Sequence, residues 1–555
     1  MDHRSEEHKQ GHSETFDTPI GSSSAIKISK YTQALIKVWE EKAKIASTGS
    51  NISVSQTVSF AAFLYEKMRN AVEFREEHLI RRATIERIIK RRMILNDNAR
   101  DIAEPLIKEL LWARYYENNS INEDKIEIVQ AIIDKYFFLK NELCAGRSTK
   151  EQNKISDFFL SVLSCEIEES LSPDPKREAF TNYVYQILRP YLSPFDEGGE
   201  SGRDVQVYIA VERTFSHSDI HLLRFHLLKL SLPEIKTISW RQADKVLENL
   251  YDVYTRIEKD IQNPLGDKIR SLLGKQIPPF LILRDVFEQN SGKLSEIITD
   301  DNKLKAKVDH ACRARYDESR ARLRRTGVRS FIYILLTKII FAFIIEIPYD
   351  LYIEGKLAYL PITINALVPP SLMAGIIISV SIPGDDNTRR IYNLIKGIID
   401  NDPDTLPMTN SGVNISKKIK SKSLIFSTIF SSLYLLTYLV SFGSIIFILT
   451  LLHFSIVSQA IFIFFVTLIT FFSYRVIRIP AEYQVITKEN FLTHLADLFF
   501  LPIVRVGQWL SGEVLTRFNV LIYILDFIIE MPFKAIVEVF DEWIRFVRIK
   551  KEEIV

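Results

Sequence analysis

Cysteine is scarce in this chain: Cys144, Cys165 and Cys312 are the only three in 555 residues. Their wide separation excludes a disulfide framework and any CxxC metal knuckle, and it suits a reducing compartment. Phosphate-cradling loops are missing as well. There is no GxxxxGK[ST] and no GxGxxG turn after a strand-like run, so nothing points to nucleotide binding. Neither HExxH nor GxSxG occurs, so no catalytic residue can be named, no cofactor is implied, and a non-enzyme is the favoured reading. An excess of either charge is absent too: 71 Lys and Arg stand against 69 Asp and Glu, a formal +2. That balance gives no reason to expect a nucleic-acid partner. Residues 1–24 lack the apolar stretch of a secretory signal peptide and read as a disordered polar tail.

What is abundant is apolar surface, 47% of residues, unevenly placed. Residues 25–325 are charged and show apolar residues at spacings of three and four, with few of the alternating β-branched runs a sheet needs. Ile85, Ile88, Ile89 and Met93 are one such stripe. Further helices are predicted over 103–116, 125–143, 156–171, 177–192, 218–230, 240–263 and 281–298. The stretch from Ser193 through Gly198, Gly199 and Gly202 has linker composition and would divide this domain into two lobes near 193–204.

After Val328 the chain becomes almost free of charge over long stretches. Four segments, 328–347, 357–382, 424–452 and 455–474, are apolar on all sides, and a helix of about 20 residues crosses a bilayer core of about 30 Å. Residues 326–480 therefore read as a four-span membrane module. Pro369-Pro370 predicts a kink or a re-entrant turn in the second span. Arg313, Arg315, Arg320, Arg322, Arg324, Arg325 and Arg329 crowd the entry to the first span, and Arg389, Arg390, Lys396, Lys417, Lys418, Lys420 and Lys422 fill the connector after the second. By the positive-inside rule the large domain and both termini are cytoplasmic, in the cell (inner) membrane. The expected fold class is thus all-α: a helical cytoplasmic domain, four transmembrane helices, and C-terminal amphipathic interfacial helices over 491–555. In the last of these, Asp526, Glu530, Lys534, Glu538 and Glu542 recur every fourth residue on an otherwise apolar helix, with Trp509 and Trp543 as interfacial anchors.

Three sets of side chains are candidates for function. His217 and His221 are weak metal candidates, set to share a helix face with Asp219 or His226 as a third donor; a polar helix start with surface histidines is the commoner meaning of such a pattern. Arg81, Arg82, Arg87, Lys90, Arg91 and Arg92 form a basic run, but Glu77 and Glu86 offer i,i+4 pairs with Arg81 and Lys90, which favours a solvated helix face. Lys338 and Glu346 are ionisable residues inside the first span. Lys338 would either snorkel to the headgroups, with Glu346 in the outer interface beside Asp350, or face Asn365 across a polar path. The first case is the favoured expectation. It describes a membrane-anchored scaffold with the lipid bilayer and cytoplasmic proteins as partners, and a homo-oligomer as an option. The second describes a transporter or channel component lined by Lys338, Glu346 and Asn365.

Overall fold

The computed structural model describes residues 26–41, 50–55, 77–95, 101–192, 199–238, 244–355, 359–400, 424–485 and 498–511, with scattered positions between 59 and 67, at 242 and 357, and between 539 and 550. Among these residues the architecture is all-α; no strand occurs, and a lone bridge pairs Asn51 with Asn122. The polar tail 1–24 and the charged stripe Asp526, Glu530, Lys534 and Glu538 lie outside the described residues.

Local sequence sets the helix starts. Ser29, Asp174, Asp219, Asn263, Asp300 and Ser455 each accept a backbone N–H of the first turn, and Pro175 and Pro264 follow two of these caps at a position that has no amide to lose. Ser148 and Glu151 close a capping box at Thr149–Leu171.

The helices preceding the first span pack around two apolar centres. One gathers Ile85, Ile88, Tyr136, Phe158, Leu228 and Leu250. The other is built on an aromatic cluster in which Phe180 meets Trp39, Phe215 and Phe287 at ring-centroid distances of 5.7, 5.4 and 5.6 Å. Each ring buried there is worth roughly 2–3 kcal/mol. The glycine-rich stretch is not wholly a linker: from Gly199 it is already helix, Gly199–Thr214, and Ile209 feeds the first centre while Val207, Ala210 and Val211 feed the second. Glycine at a helix start costs little, and the run Val205 to Val211 supplies an apolar face.

Among the described residues four helices are long and apolar enough to cross a membrane: Asp301–Ile353, Tyr359–Ser379, Thr428–Leu451 and Ile456–Ala481. They are called spans one to four below. Span one is the apolar end of a helix of 53 residues that begins in the second apolar centre, where Leu304, Val308 and Ala311 are fully buried. Span two does not turn back at its proline pair; helix runs on from Tyr359 to Ser379 with Pro369 and Pro370 buried inside it. Those prolines leave the carbonyls of Asn365 and Ala366 without the amide N–H that would donate to them from four residues on.

The connector between spans two and three holds an amphipathic helix, Asp385–Asp400, that positive charge alone did not reveal. Its Ile391, Ile395, Ile398 and Ile399 enter the second apolar centre, and its C-terminal carbonyl at Ile399 accepts from Ser29 N at 3.0 Å. Asn387 ties this helix to the rest: its Nδ2 donates to Tyr316 Oη at 2.9 Å and to Tyr483 O, beyond span four, at 2.8 Å, and its Oδ1 accepts from Val485 N at 2.8 Å. Two connectors therefore pack on the domain that precedes span one, on one side of the spans.

The helix Leu498–Ser511 departs from the expectation of a surface-lying tail over 491–555. It packs against the middle of spans three and four: Ser441 Oγ donates to Phe499 O at 2.8 Å, and a Cβ added to Gly507 would stand 2.1 Å from the carbonyl oxygen of Thr467. Absence of a side chain at Gly507 permits that approach, and Ile503 fills the gap among Leu449, Phe462 and Val466. Trp509 is exposed.

Candidate functional site

One face of span one is polar where the other faces are greasy. Ile334, Lys338, Ala342, Glu346 and Asp350 are its buried positions, spaced by four, while Ile340, Phe343, Ile344 and Ile353 are exposed. In a regular α-helix residues four apart drift by about 40°, so five of them would spread around nearly half the cylinder. Two single-turn π segments, Ala342–Glu346 and Asp350–Glu354, flank Pro348 and widen the turn, which holds the four-residue spacing on one side.

That face meets span two at Asn365. Lys338 Nζ donates to Asn365 Oδ1; Asn365 Nδ2 donates to Glu346 Oε1 at 2.6 Å and to Ser458 O of span four at 3.3 Å. Every polar atom of the amide is engaged, and its oxygen must face the ammonium. Lys338 Nζ lies 3.8 Å from Glu346 Oε1 and 4.3 Å from the centre of the Phe465 ring, a cation–π contact from span four. Lys338, Glu346, Asp350 and Asn365 are each 1% exposed.

This corrects the snorkelling expectation. The lysine stem has an outward route only if its ammonium can be hydrated on the way, and here spans two and four close over it. Glu346 is likewise enclosed between the spans, at 1% exposure. Asp350, which the sequence places beyond the apolar run, belongs to the same cluster; its spacing of four from Glu346 was the available signal. Three carboxylate oxygens, Glu346 Oε2 and both of Asp350, are buried with no hydrogen-bond partner.

The remaining candidates resolve into structure. His217 precedes the helix Ile220–Ser231 with a left-handed backbone, φ 51°, and its Nε2 is 3.4 Å from Glu482. His221 Nδ1 instead sits 2.7 Å from Ser161 Oγ, and His226 Nδ1 is 3.0 Å from Glu212. The two candidate ligands thus turn to different partners because His217 is not part of the helix, and Asp219 is spent on the cap and on Arg82. Among the described residues no three His, Cys, Asp or Glu side chains are arranged to hold a metal ion. Burial works against the Glu212 carboxylate, but the His226 ring and hydrogen bonds from Ser218 and Tyr208 outweigh it and bring the group down to about 2. Burial, with Arg177 and Arg81 nearby, lowers His78 to about 3.

Except at Lys90, which is exposed, the basic run is not a solvated face either. Arg82 is 3% exposed, bonded to Glu86 and, at 3.1 Å, to Asp219. Arg81 reaches Glu77 and also Glu168, both at 2.9 Å; Arg87 reaches Glu66 at 2.8 Å; Arg91 reaches Glu109 at 2.6 Å. Apart from the i,i+4 pairs with Glu77 and Glu86, these are internal clamps whose acidic partners are remote in sequence.

The polar cluster of the spans is therefore what needs a functional account. Compared with known proteins, the chain matches no family model, no curated relative and no solved structure, so that account rests on its own residues.

Proposed function

We propose that this is a multi-pass membrane transport component, with a charged site between its spans and a helical domain and both termini on the cytoplasmic side of the inner membrane. The observation that carries the reading is the chain Lys338–Asn365–Glu346 from two facing spans, buried to 1% exposure. Lys338 lies ten residues past Val328, about 15 Å into a core of about 30 Å. On insertion scales an ionised side chain at that depth costs roughly 2.5–3.5 kcal/mol before pairing is counted. A plain anchor gains nothing from that cost; a site that must hold and release charge requires it. The underwound turns of span one and the proline-freed carbonyls of span two add the irregular backbone that such sites use. The sidedness is supported by the arginines before span one and by two connectors packed on the same domain.

Reconstitution of the full chain in liposomes tests the reading, with fluorescent dyes for pH and for membrane potential. A proton- or cation-dependent flux is expected, falling at least tenfold in Asn365→Leu protein that still elutes as a folded species. No flux of protons, sodium or potassium from folded wild-type protein would refute transport. The second reading, a membrane-anchored scaffold, is favoured by a different observation: the helical domain is large and carries a cavity of about 610 Å³ lined by Glu168, Asp174, Glu178, His226 and Lys229. An inactive membrane module with stable cytoplasmic protein partners would support it.

A further inference from the structure

Where span one enters the membrane, its helix is divided lengthwise between protein and lipid. Leu323, Gly327 and Ile334 are buried, and Leu323 and Ile334 share an apolar cluster with Met373 of span two and with Ile469 and Val476 of span four. A Cβ added to Gly327 would stand 3.0 Å from Ile377 Cδ1, so span two lies close against this turn. At about 100° per residue, Arg325, Arg329, Ile332 and Leu336 fall within about 60° of one another on the opposite side. All four are exposed. This stripe passes from guanidinium to hydrocarbon as the chain crosses the bilayer surface. Arg329 follows Val328, where the apolar run begins, and Arg325 stands about 4.5 Å before it, inside a headgroup layer of about 5–7 Å.

The acids described nearby are engaged elsewhere. Glu318 accepts from Arg322 at 2.8 Å and from Arg315 at 3.0 Å, Asp317 accepts from Arg320 at 3.0 Å, and Glu482, beyond span four, faces His217 at 3.4 Å. Among the described residues no carboxylate pairs with Arg325 or Arg329. One turn apart, with roughly 5–6 Å between their Cβ atoms, the two guanidinium groups repel each other, and an anion held between them reverses the sign of that interaction. Phosphate fits the guanidinium fork through two parallel N–H bonds. Retention of positive charge on the cytoplasmic side asks only for basic residues near the span ends, which Arg389 and Arg390 also supply. It does not ask that two arginines share a stripe with the lipid-facing residues. A free phosphate would use the arginines alone, whereas a phospholipid also covers Ile332 and Leu336.

We propose that Arg325 and Arg329 bind the phosphate of one anionic phospholipid, whose acyl chains lie along Ile332 and Leu336. The site requires that the spans cross a bilayer and is independent of what they transport. A lipid held there braces span one at the turn where Gly327 meets Ile377, through which the 53-residue helix leaves the membrane.

Native mass spectrometry of the full-length protein, released from detergent with added dioleoyl phosphatidylglycerol or dioleoyl phosphatidylcholine, tests the site. Wild type should retain one phosphatidylglycerol at least tenfold more tightly than phosphatidylcholine. Arg325→Gln with Arg329→Gln should abolish that preference. Arg389→Gln with Arg390→Gln, which removes the same charge from the exposed side of another helix, should leave it within twofold. Excess inorganic phosphate should not displace the lipid. Equal retention of the two lipids would overturn the proposal, as would a preference that survives the first exchange or is lost as fully in the second. Displacement by phosphate would overturn it too, and give the arginines to a free anion. Alkaline carbonate separates the two levels: protein that it strips from the membrane has no spans, whereas protein that stays without showing the preference keeps its spans and loses the lipid site.

Discussion

Replacing Lys338 by leucine tests the account of the membrane site most directly. Had the lysine snorkelled, Lys338→Leu would remove a desolvation cost and be neutral or mildly stabilising. In the observed geometry it removes the one cation that the described residues bring to the cluster, 3.8 Å from Glu346, and strips Asn365 Oδ1 of its donor. The orphaned carboxylate must then take up a proton. For an acid of ordinary pKa near 4.3 that costs about 1.36 kcal/mol for each pH unit above it, or about 3.7 kcal/mol at pH 7. Loss of one partner from a buried pair falls in the same range, about 3–5 kcal/mol. The penalty shrinks as pH falls, to about 1 kcal/mol at pH 5, since protonation becomes cheaper. Thermal melts of the full chain in detergent at pH 5, 6, 7 and 8 measure it. The midpoint of the Lys338→Leu protein should lie well below wild type at pH 8 and approach it at pH 5. A double variant, Lys338→Leu with Glu346→Leu, should recover most of the loss at every pH. A single variant that melts at or above wild type at pH 7 to 8 would refute the reasoning.

The helical domain should lose stability on acidification. His78, held near 3, stays neutral in the fold while the unfolded chain takes up its proton below about 6.5, so stability falls as pH drops from there toward 3. Glu212, held near 2, adds stability that is present above about 4.5 and is lost between there and 2. His78→Asn should therefore flatten the dependence of the melting midpoint between pH 6.5 and 5, and an unchanged slope would contradict this origin. Gly507→Ala drives a Cβ into the Thr467 carbonyl and should detach the helix Leu498–Ser511, read as proteolysis after residue 485 that wild type resists. Asn387→Ala removes three hydrogen bonds, two to the segment after span four and one to Tyr316, and should cost about 2–3 kcal/mol in the same melts. Single cysteines at His453 and at Asp386 should react with impermeant reagent from opposite sides of sealed vesicles; labelling of both from one side would break the four-span topology.

Much of this fold was legible because hydropathy and helical period are local signals. The four apolar helices could be read from composition, although span one is continuous with a charged helix that starts at Asp301, well before the change of chemistry at Val328. The basic run was misread for the opposite reason. Glu77 and Glu86 are visible within four residues, but Glu66, Glu109, Glu168 and Asp219 reach Arg87, Arg91, Arg81 and Arg82 only through tertiary packing. Asp385–Asp400 was hidden by its charge, since Arg389, Arg390 and Lys396 mark a loop side well but say nothing of the isoleucines between them. At the membrane site Lys338, Glu346 and Asn365 could be named in advance, whereas their closure around one another could not. Asp350 could be placed beside Glu346 but not inside the cluster, because counting apolar residues stops where the acids begin.

The 53-residue helix that starts at Asp301 is a mechanical element as well as a span. From Asp301 to Glu346 it measures about 68 Å, without proline until Pro348. Rocking of about 5° at the acidic turns would carry its far end through about 6 Å, more than the depth of a packed side-chain layer. Cores that are close-packed switch between arrangements and do not stretch, so the second apolar centre must either repack when the membrane end tilts or hold that end still. Whatever binds the domain near Leu304 and Ile395 thereby acquires leverage over a charge buried in the lipid.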